Sequence, residues 1–157
     1  MSIKRCDHAS VGALIYDANK NLLLIERKKY PYGWAPPAGH LDGDTFQKGL
    51  LREIREEVGL GIETFSLVLD RKFDNPCRRE GGTWHHWQVF RADRWIGELK
   101  RSFDETKKAE WCSRFGIGVL AEYTKVYCAG KIPENEWERH PGIEPVWCEI
   151  FVLLNIL

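Results

Sequence analysis

Short apolar runs recur along the chain between polar and glycine-rich segments, and they predict β-strands. The first two runs are separated by a polar turn, which is typical of a hairpin. Later runs are rich in β-branched and aromatic residues, which favour strands. The predicted strands cover residues 11–16, 22–25, 65–69, 83–91 and 109–112.

One helix is predicted between the second and third of these strands. The short side chains of Asp44 and Thr45 suit a helix start, because they can accept hydrogen bonds from free backbone N–H groups. Gly59 is a typical residue just beyond a helix end. The apolar positions between them form a stripe that can dock on a core, and they are Leu50, Leu51, Ile54 and Val58.

The last third of the chain predicts a short helix at residues 116–123, an irregular polar segment at 132–145 and a final helix beginning at Pro145. The final helix has a broad apolar stripe. The final helix can therefore pack either on the sheet of the same chain or on a second subunit in a homodimer.

Length and charge limit the classes of protein to consider. The 157 residues are expected to form one domain, 1–157, with a proper core. A formal net charge of zero argues against a general nucleic-acid or membrane-surface binder. Residues 1–10 lack the apolar core of a signal peptide, and no apolar run approaches a membrane span. We therefore expect a cytoplasmic protein without a membrane or nucleic-acid partner.

The cysteines give no sign of a disulfide framework. Their number is odd, they are scattered, and no C-x-x-C pair is present, which favours reduced thiols in the cytoplasm. Their spacing relative to the histidines does not suit a zinc site either. The five positions are Cys6, Cys77, Cys112, Cys128 and Cys148.

Three acids follow one side of the predicted helix, since Glu53, Glu56 and Glu57 are three and four residues apart. Such like charges repel, whereas a hard divalent cation such as Mg²⁺ would bind to all of them. Gly49 lies one turn earlier and would leave a gap beside the acids. Arg52 is spaced to contact Glu56. The alternative is a solvated surface helix with many charges.

The residues around these acids resemble the Nudix box, whose pattern is G-x5-E-x7-R-E-U-x-E-E-x-G-U with U aliphatic. Residues 52–60 (REIREEVGL) match the second half at every specified position. In the first half, Asp44 replaces the usual Glu. Only four residues separate Gly39 from Asp44, so either the loop is one residue short or Ala38 takes the first glycine position.

The resemblance implies an α/β fold of the Nudix type, an α/β/α sandwich with a mixed β-sheet between helices and the box as a loop and helix at one edge. It also implies a metal-dependent hydrolase that cleaves a phosphoanhydride bond in a nucleoside diphosphate linked to another group, with Mg²⁺ or Mn²⁺ as cofactor. Glu56 and Glu57 would be the principal metal ligands and Glu53 a ligand or the general base. Arg52 would orient Glu56.

The family pattern extends to residues outside the box helix. A backbone carbonyl of the preceding loop also contacts metal in the family, and Ala38 or Gly39 would supply it. Arg27 stands where a basic residue often faces the substrate. Glu105, or its neighbour Asp104, stands where a further base or metal ligand is common. The alternative for the basic and acidic loop residues is simple solvation.

Aromatic and histidine residues near these positions have two interpretations. The aromatic loop at residues 30–34 could stack on a nucleobase, although for Trp34 we favour packing. His85 and His86 could contact substrate, but packing and hydrogen bonding are more common for histidine in a half-buried strand.

Other functions stay open beside hydrolysis. A catalytically inactive Nudix-fold nucleotide-binding domain would explain the altered box loop, although such domains usually lose box acids. An isomerase of isoprenoid diphosphates would need a cysteine that the box lacks. The expected partner is a small-molecule nucleotide. The size of the chain favours the MutT-like group acting on nucleoside triphosphates, but the residues do not select a base.

Overall fold

A computed structural model describes residues 2–157 and contains both helices and strands, as expected for an α/β fold. Residues 11–16 and 22–25 were expected to pair as a hairpin, but only the bridge between Tyr16 and Leu22 joins them. In chain order the elements are β1 (Ala9–Leu14), β2 (Leu22–Arg27), β3 (Trp34–Ala35), β4 (Ala38–His40), α1 (Phe46–Val58), β5 (Gly61–Asp74), β6 (Trp84–Ile96), β7 (Thr106–Cys112), α2 (Arg114–Cys128), α3 (Glu134–Arg139) and α4 (Pro145–Leu153).

The strands form two sheets. The larger has the order β4-β1-β6-β5 and is mixed, because β1 runs parallel to β6 and antiparallel to β4. The smaller is antiparallel, with the order β3-β2-β7. Strand β4 is therefore an edge strand of the larger sheet, with β1 on one side only.

Two apolar cores lie on opposite faces of the strands. Along β2, Leu23 and Ile25 face the core beneath α1, whereas Leu22 and Leu24 face the core beneath α2 and α4. This follows from the two-residue period of a strand, which sends successive side chains to opposite faces. Helices on both faces give the α/β/α sandwich expected from the sequence.

Helix α1 begins and ends where the local signals predict. The Thr45 hydroxyl accepts a hydrogen bond from the backbone N–H of Lys48, and Gly59 ends the helix in the left-handed conformation with φ of 72°. The apolar stripe is buried except for Leu51, which is 39% exposed and does not join the core as expected.

Strands β5 and β6 are longer than their apolar residues predict. They pair antiparallel from Gly61 with Ile96 to Asp74 with Trp84. Backbone hydrogen bonds extend this ladder through polar, exposed positions that carry no hydrophobic signal. Trp95 and Ile96, which lie beyond the predicted strand at 83–91, form the end of β6.

The segment at residues 132–145 is not irregular throughout, because it contains helix α3. Trp137 anchors this helix in the protein, being only 1% exposed, and its ring stacks on Tyr127 with centroids 3.9 Å apart. Glu134 and Glu136 lie in the first turn, where acidic side chains interact favourably with the helix dipole.

Residues 142–144 then extend alongside β3. The backbone N–H of Trp34 donates to the carbonyl of Gly142, and the N–H of Glu144 donates to the carbonyl of Trp34. Trp34 is 8% exposed, so it packs as favoured from the sequence, but it does so in the core beneath α2 and α4 and not under α1. This pairing fixes the position of Glu144.

Within residues 2–157, the helices are too short or too polar to cross a membrane.

Gly142 is expected to tolerate no side chain. A Cβ at this position would lie 2.3 Å from the carbonyl oxygen of Leu120 and 2.5 Å from Thr124 Oγ1. We expect Gly142→Ala to lower the free energy of unfolding by about 1–3 kcal/mol through overpacking. The matched control is Gly118→Ala in α2, where a Cβ meets no atom within 4 Å. That change should raise stability by about 1 kcal/mol. Urea denaturation measures both, and equal effects would contradict the packing argument.

Candidate active site

The site is built on the outer edge of β4, where backbone groups alternate in direction. The carbonyl of Pro37 accepts from Ala13 and the N–H of Leu41 donates to Ala9, so these two positions bond to β1. The backbone groups of Ala38 and His40 point the other way, toward α1. Of the two carbonyls considered in the sequence, that of Ala38 therefore faces away from the sheet.

Side chains of α1 form hydrogen bonds with the backbone groups of this outer edge. The Ala38 N–H donates to Glu57 Oε2 at 3.0 Å, and Arg52 Nη2 donates to the His40 carbonyl at 2.9 Å. The outer edge of β4 thus bonds to the Glu57 carboxylate at Ala38 and to the Arg52 guanidinium at His40.

Arg52 does not make the expected contact with Glu56. Its Nη1 donates to Asp44 Oδ2 at 2.8 Å, and its Nη2 also lies 3.2 Å from Glu53 Oε1. The carbonyls of the edge strand and the carboxylate at the helix start offer several acceptors in one plane, which suits the planar guanidinium better than a single carboxylate one turn away.

Asp44 and the shortened loop form a compact turn. The N–H of Asp44 donates to the Leu41 carbonyl at 3.0 Å. The two central residues have positive φ, 53° at Asp42 and 93° at Gly43, which is the pattern of a type I′ turn. The loop therefore closes with few residues, and Asp44 bonds to Arg52.

Gly39 is the residue that makes room for an acid. A Cβ at Gly39 would lie 2.3–2.6 Å from the carboxyl atoms of Glu53. Gly49, which was expected to leave a gap beside the acids, accommodates Leu41 instead, whose Cδ2 would be 2.7 Å from a Cβ.

The three box acids face one cleft of about 230 Å³. Glu57 is buried, Glu53 is half-buried and Glu56 is exposed. Of the other residues proposed from the sequence, Arg27, Ala38, Gly39 and Glu105 also line the cleft. Arg52 lies outside its lining and bonds to the loop and to Glu53.

Burial shifts the ionisation of two of these acids. It raises the pKa of Glu53 to about 7, an effect that Arg52 opposes and the charge of Glu56 reinforces. Burial also raises the pKa of Glu57 well above its usual range, and the charge of Glu53 adds to this. The carboxyls therefore disfavour being ionised together without a cation.

The donor set fits a hard divalent cation. All the converging groups are oxygens, from carboxylates and from a backbone carbonyl on the free edge of β4, and Mg²⁺ and Mn²⁺ prefer such ligands. The glycine at position 39 allows a Glu53 carboxylate to lie directly against the backbone. The residues present thus suit the metal that the box implies.

The basic side of the cleft holds Arg27. Its Nε donates to the Pro31 carbonyl at 2.7 Å and lies 3.7 Å from Glu144 Oε2. Among residues 2–157, its two terminal nitrogens form no hydrogen bond with the protein and are free to contact a ligand. Lys29 pairs with Glu105 at 3.3 Å, and both side chains are exposed.

Sequence reasoning missed Glu144, which is buried and lines the same cleft. Burial raises the pKa of this carboxyl. Its Oε2 has no hydrogen-bond partner within the described residues. No local signal marks this residue, because only the pairing of residues 142–144 with β3 brings it to the cleft.

The two neighbouring histidines have separate environments. His85 is 1% exposed, and its Nδ1 bonds to the Asn75 carbonyl at 3.1 Å. His86 is exposed and lies 2.7 Å from Asp70 Oδ1. Both form hydrogen bonds, as favoured from the sequence, and His85 also lies in the wall of the cleft.

Comparison with protein families identifies the box and its surroundings together. Residues 7–124 match the model described as the NUDIX domain. A solved structure, the MutT NUDIX hydrolase of Burkholderia pseudomallei, superposes with a TM-score of 0.58 at 26% identity and covers 69% of this chain and 84% of its own.

Two curated relatives are similar in sequence. The protein of Danio rerio named 8-oxo-dGDP phosphatase NUDT18 is 31% identical over 110 residues, which is 66% of this chain and 31% of the relative. The ADP-ribose pyrophosphatase of Methanocaldococcus jannaschii is 35% identical over 116 residues, which is 71% of this chain and 65% of the relative. The chain thus spans under two thirds of each relative's length.

The contact between Gly39 and Glu53 can be tested by a double-mutant cycle. We expect Gly39→Ala to lower the free energy of unfolding by about 1–3 kcal/mol, because the new Cβ collides with the Glu53 carboxylate. In a Glu53→Ala background, Gly39→Ala should lower the free energy of unfolding by less. The coupling free energy of the cycle should be about 0.5 kcal/mol or more. An unchanged cost in that background would show that the carboxylate is not the source of the clash.

The role of Arg52 at the edge of β4 can be tested by a conservative change. Lysine cannot reach Asp44 and the His40 carbonyl together. We therefore expect Arg52→Lys to reduce the free energy of unfolding by about 1–2 kcal/mol in low salt. Under that condition, the partial exposure of Arg52 weakens its charged hydrogen bonds only moderately. Arg55→Lys, an exposed change on the same helix, is the control. Equal losses in thermal or urea denaturation would refute the specific role of Arg52.

Proposed function

The chain belongs to the NUDIX family, and we propose that it hydrolyses a phosphoanhydride bond in a nucleoside diphosphate linked to another group. The observation that carries this proposal is the convergence of Glu53, Glu56 and Glu57 with Arg27 in one cleft. Carboxylates alone would repel a diphosphate. Together with a divalent cation and a free guanidinium, they form a site suited to one.

Mg²⁺ or Mn²⁺ is the proposed cofactor, since enzymes of the family generally need a divalent metal. Glu56 and Glu57 would hold it, with the Ala38 carbonyl and Glu53 as further oxygen donors. When bound, the ion supplies Lewis acidity toward the phosphate oxygens and the attacking water.

The remaining chemistry belongs to side chains of the chain itself. The terminal nitrogens of Arg27 bind a phosphate group and orient it. Water attacks phosphorus, the bond to the leaving phosphate oxygen breaks, and Glu53 or Glu105 accepts the proton of the water. Arg52 is a positioning residue, because it acts through Glu53 and through strand β4, which carries Ala38 and Gly39.

The proposed substrate class is that of nucleoside diphosphate derivatives. Both curated relatives bear names of enzymes acting on such compounds, 8-oxo-dGDP and ADP-ribose. The altered first half of the box does not favour an inactive binding domain, since Asp44 is paired with Arg52 rather than lining the cleft.

Removing one box acid should abolish most turnover. We expect Glu57→Gln and Glu56→Gln each to reduce turnover by orders of magnitude, because a neutral amide is a poor ligand for a hard cation. The assay offers ADP-ribose, 8-oxo-dGDP, nucleoside triphosphates and diadenosine polyphosphates with Mg²⁺ or Mn²⁺, and chromatography identifies the nucleotide products. Glu122→Gln, on the exposed face of α2, is the control and should keep full turnover.

Circular dichroism confirms that each variant is folded before its turnover is compared. Near-native turnover of a folded Glu57→Gln protein would refute the role of the box acids. Tight nucleotide binding by the unaltered protein, without cleavage of any substrate in either metal, would instead support a nucleotide-binding domain.

A further inference from the structure

Two cysteines and two histidines from distant parts of the chain converge beside the cleft, whose lining includes His40, Cys77 and His85. Cys6 Sγ lies 3.3 Å from His85 Nε2 and 3.6 Å from His40 Nε2. The two histidine nitrogens are 3.2 Å apart, and Cys77 Sγ is 3.8 Å from Cys6 Sγ. The four ligand atoms all lie within 4.8 Å of one another.

Four of the six separations, those of Cys6 from the other three ligand atoms and that between the two histidines, are close to the edges of a tetrahedral zinc site. With Zn–S bonds of about 2.3 Å and Zn–N bonds of about 2.0–2.1 Å, a tetrahedron has edges of about 3.8 Å between two sulfurs, about 3.6 Å between sulfur and nitrogen, and about 3.3 Å between two nitrogens. The sulfur pair of Cys6 and Cys77 and the nitrogen pair of His40 and His85 both fall within about 0.2 Å of these values.

Hydrogen bonds from neighbouring groups favour the metal-binding forms of the clustered side chains. The backbone N–H of His8 donates to Cys6 Sγ at 3.3 Å, and that of Arg79 donates to Cys77 Sγ at 3.4 Å. Such N–H donors stabilise thiolates. The Asn75 carbonyl accepts from Nδ1 of His85 at 3.1 Å, which leaves the Nε2 lone pair directed at the cluster.

We propose that Cys6, His40, Cys77 and His85 bind one structural Zn²⁺ ion. The sequence shows no zinc spacing for these residues, because each proposed ligand comes from a different segment of the chain. Four protein ligands would complete a tetrahedron and leave no open position for a reacting water, which is the arrangement of structural rather than catalytic zinc.

The ion would connect the N-terminal segment, β4, the loop at residues 75–83 and β6. Backbone bonds also hold this loop, among them Cys6 N–H to the Glu80 carbonyl and Cys77 N–H to the Gly82 carbonyl, and Arg79 pairs with Asp42 at 2.6 Å. It places Arg78 and Arg79 in the cleft lining. Zinc would thus fix one wall of the cleft without taking part in the chemistry of the box acids.

A disulfide between Cys6 and Cys77 is the competing explanation for the two close thiols. It would use only the sulfur atoms, which lie 3.8 Å apart as free thiols, and it would leave the two histidines joined by an N–H···N hydrogen bond of 3.2 Å. Zinc would bind all four groups at once, which accounts for the convergence of both pairs.

The first test measures metal in the full-length protein, purified under reducing conditions without chelators. We expect about one zinc per chain by elemental mass spectrometry. After exchange with Co²⁺, the protein should show the strong visible bands of tetrahedral cobalt and a thiolate-to-cobalt charge-transfer band. A reduced, folded protein that shows neither band in the presence of Co²⁺ would overturn the proposal. So would mass spectra showing that the protein purified under reducing conditions holds no metal and carries a Cys6–Cys77 disulfide.

Matched variants locate the site. Cys77→Ser should weaken the charge-transfer band and reduce Co²⁺ affinity by about tenfold or more, whereas Cys128→Ser, an exposed cysteine at the end of α2, should change neither. His85→Gln and its exposed neighbour His86→Gln form a second pair with the same expectation. A Cys77→Ser spectrum identical to that of the unaltered protein would overturn the assignment.

Stability separates this ion from the cation of the box. Stripping the unaltered protein with a chelator should lower its melting temperature, and Zn²⁺ should restore the temperature whereas excess Mg²⁺ should not, because Mg²⁺ does not favour thiolate ligands. Restoration by Mg²⁺ alone, or a melting temperature unaffected by removal of all bound zinc, would overturn the structural role. Neither readout depends on hydrolysis.

Discussion

The outer edge of β4 is the constraint on which the site depends. An edge strand leaves a row of backbone groups unpaired, and burying them without partners is unfavourable. Helix α1 provides those partners through Glu57 at the Ala38 N–H and Arg52 at the His40 carbonyl. Because two side chains of α1 bond to fixed backbone groups of β4, the helix is held in a single rotation about its axis, with its acids facing the cleft.

This constraint explains why repelling acids persist on one helix. Glu57 compensates a backbone donor, and Glu53 lies against a glycine backbone in a space that any side chain at position 39 would fill. The apolar residues Leu50, Ile54 and Val58 supply the burial that keeps α1 in place. The stability of the helix thus comes from its apolar stripe, which allows the neighbouring acids to be arranged for binding.

Local signals predicted α1 well, because the caps at Thr45 and Gly59 and the four-residue spacing act within a few residues. They failed where distant groups compete. The spacing of Arg52 and Glu56 suggested a contact, but the carbonyls of β4 are better acceptors and become available only after folding. Glu144 reaches the cleft through pairing of its segment with β3, and Cys6 lies beside His85 although the two are 79 positions apart in sequence. Such convergence depends on topology, which the spacing of residues does not encode.

The cleft is lined by residues of two ligand chemistries. The box wall offers carboxylate and carbonyl oxygens, which suit a hard cation that exchanges water and binds phosphate. The other wall offers two sulfurs and two imidazole nitrogens, which suit a softer ion with no position left for water. The two sets share only strand β4, where Ala38 and Gly39 face the acids and His40 faces the cysteines. A short edge strand therefore couples the rigidity of one wall to the geometry of the other, and the ligand types keep each ion on its own side.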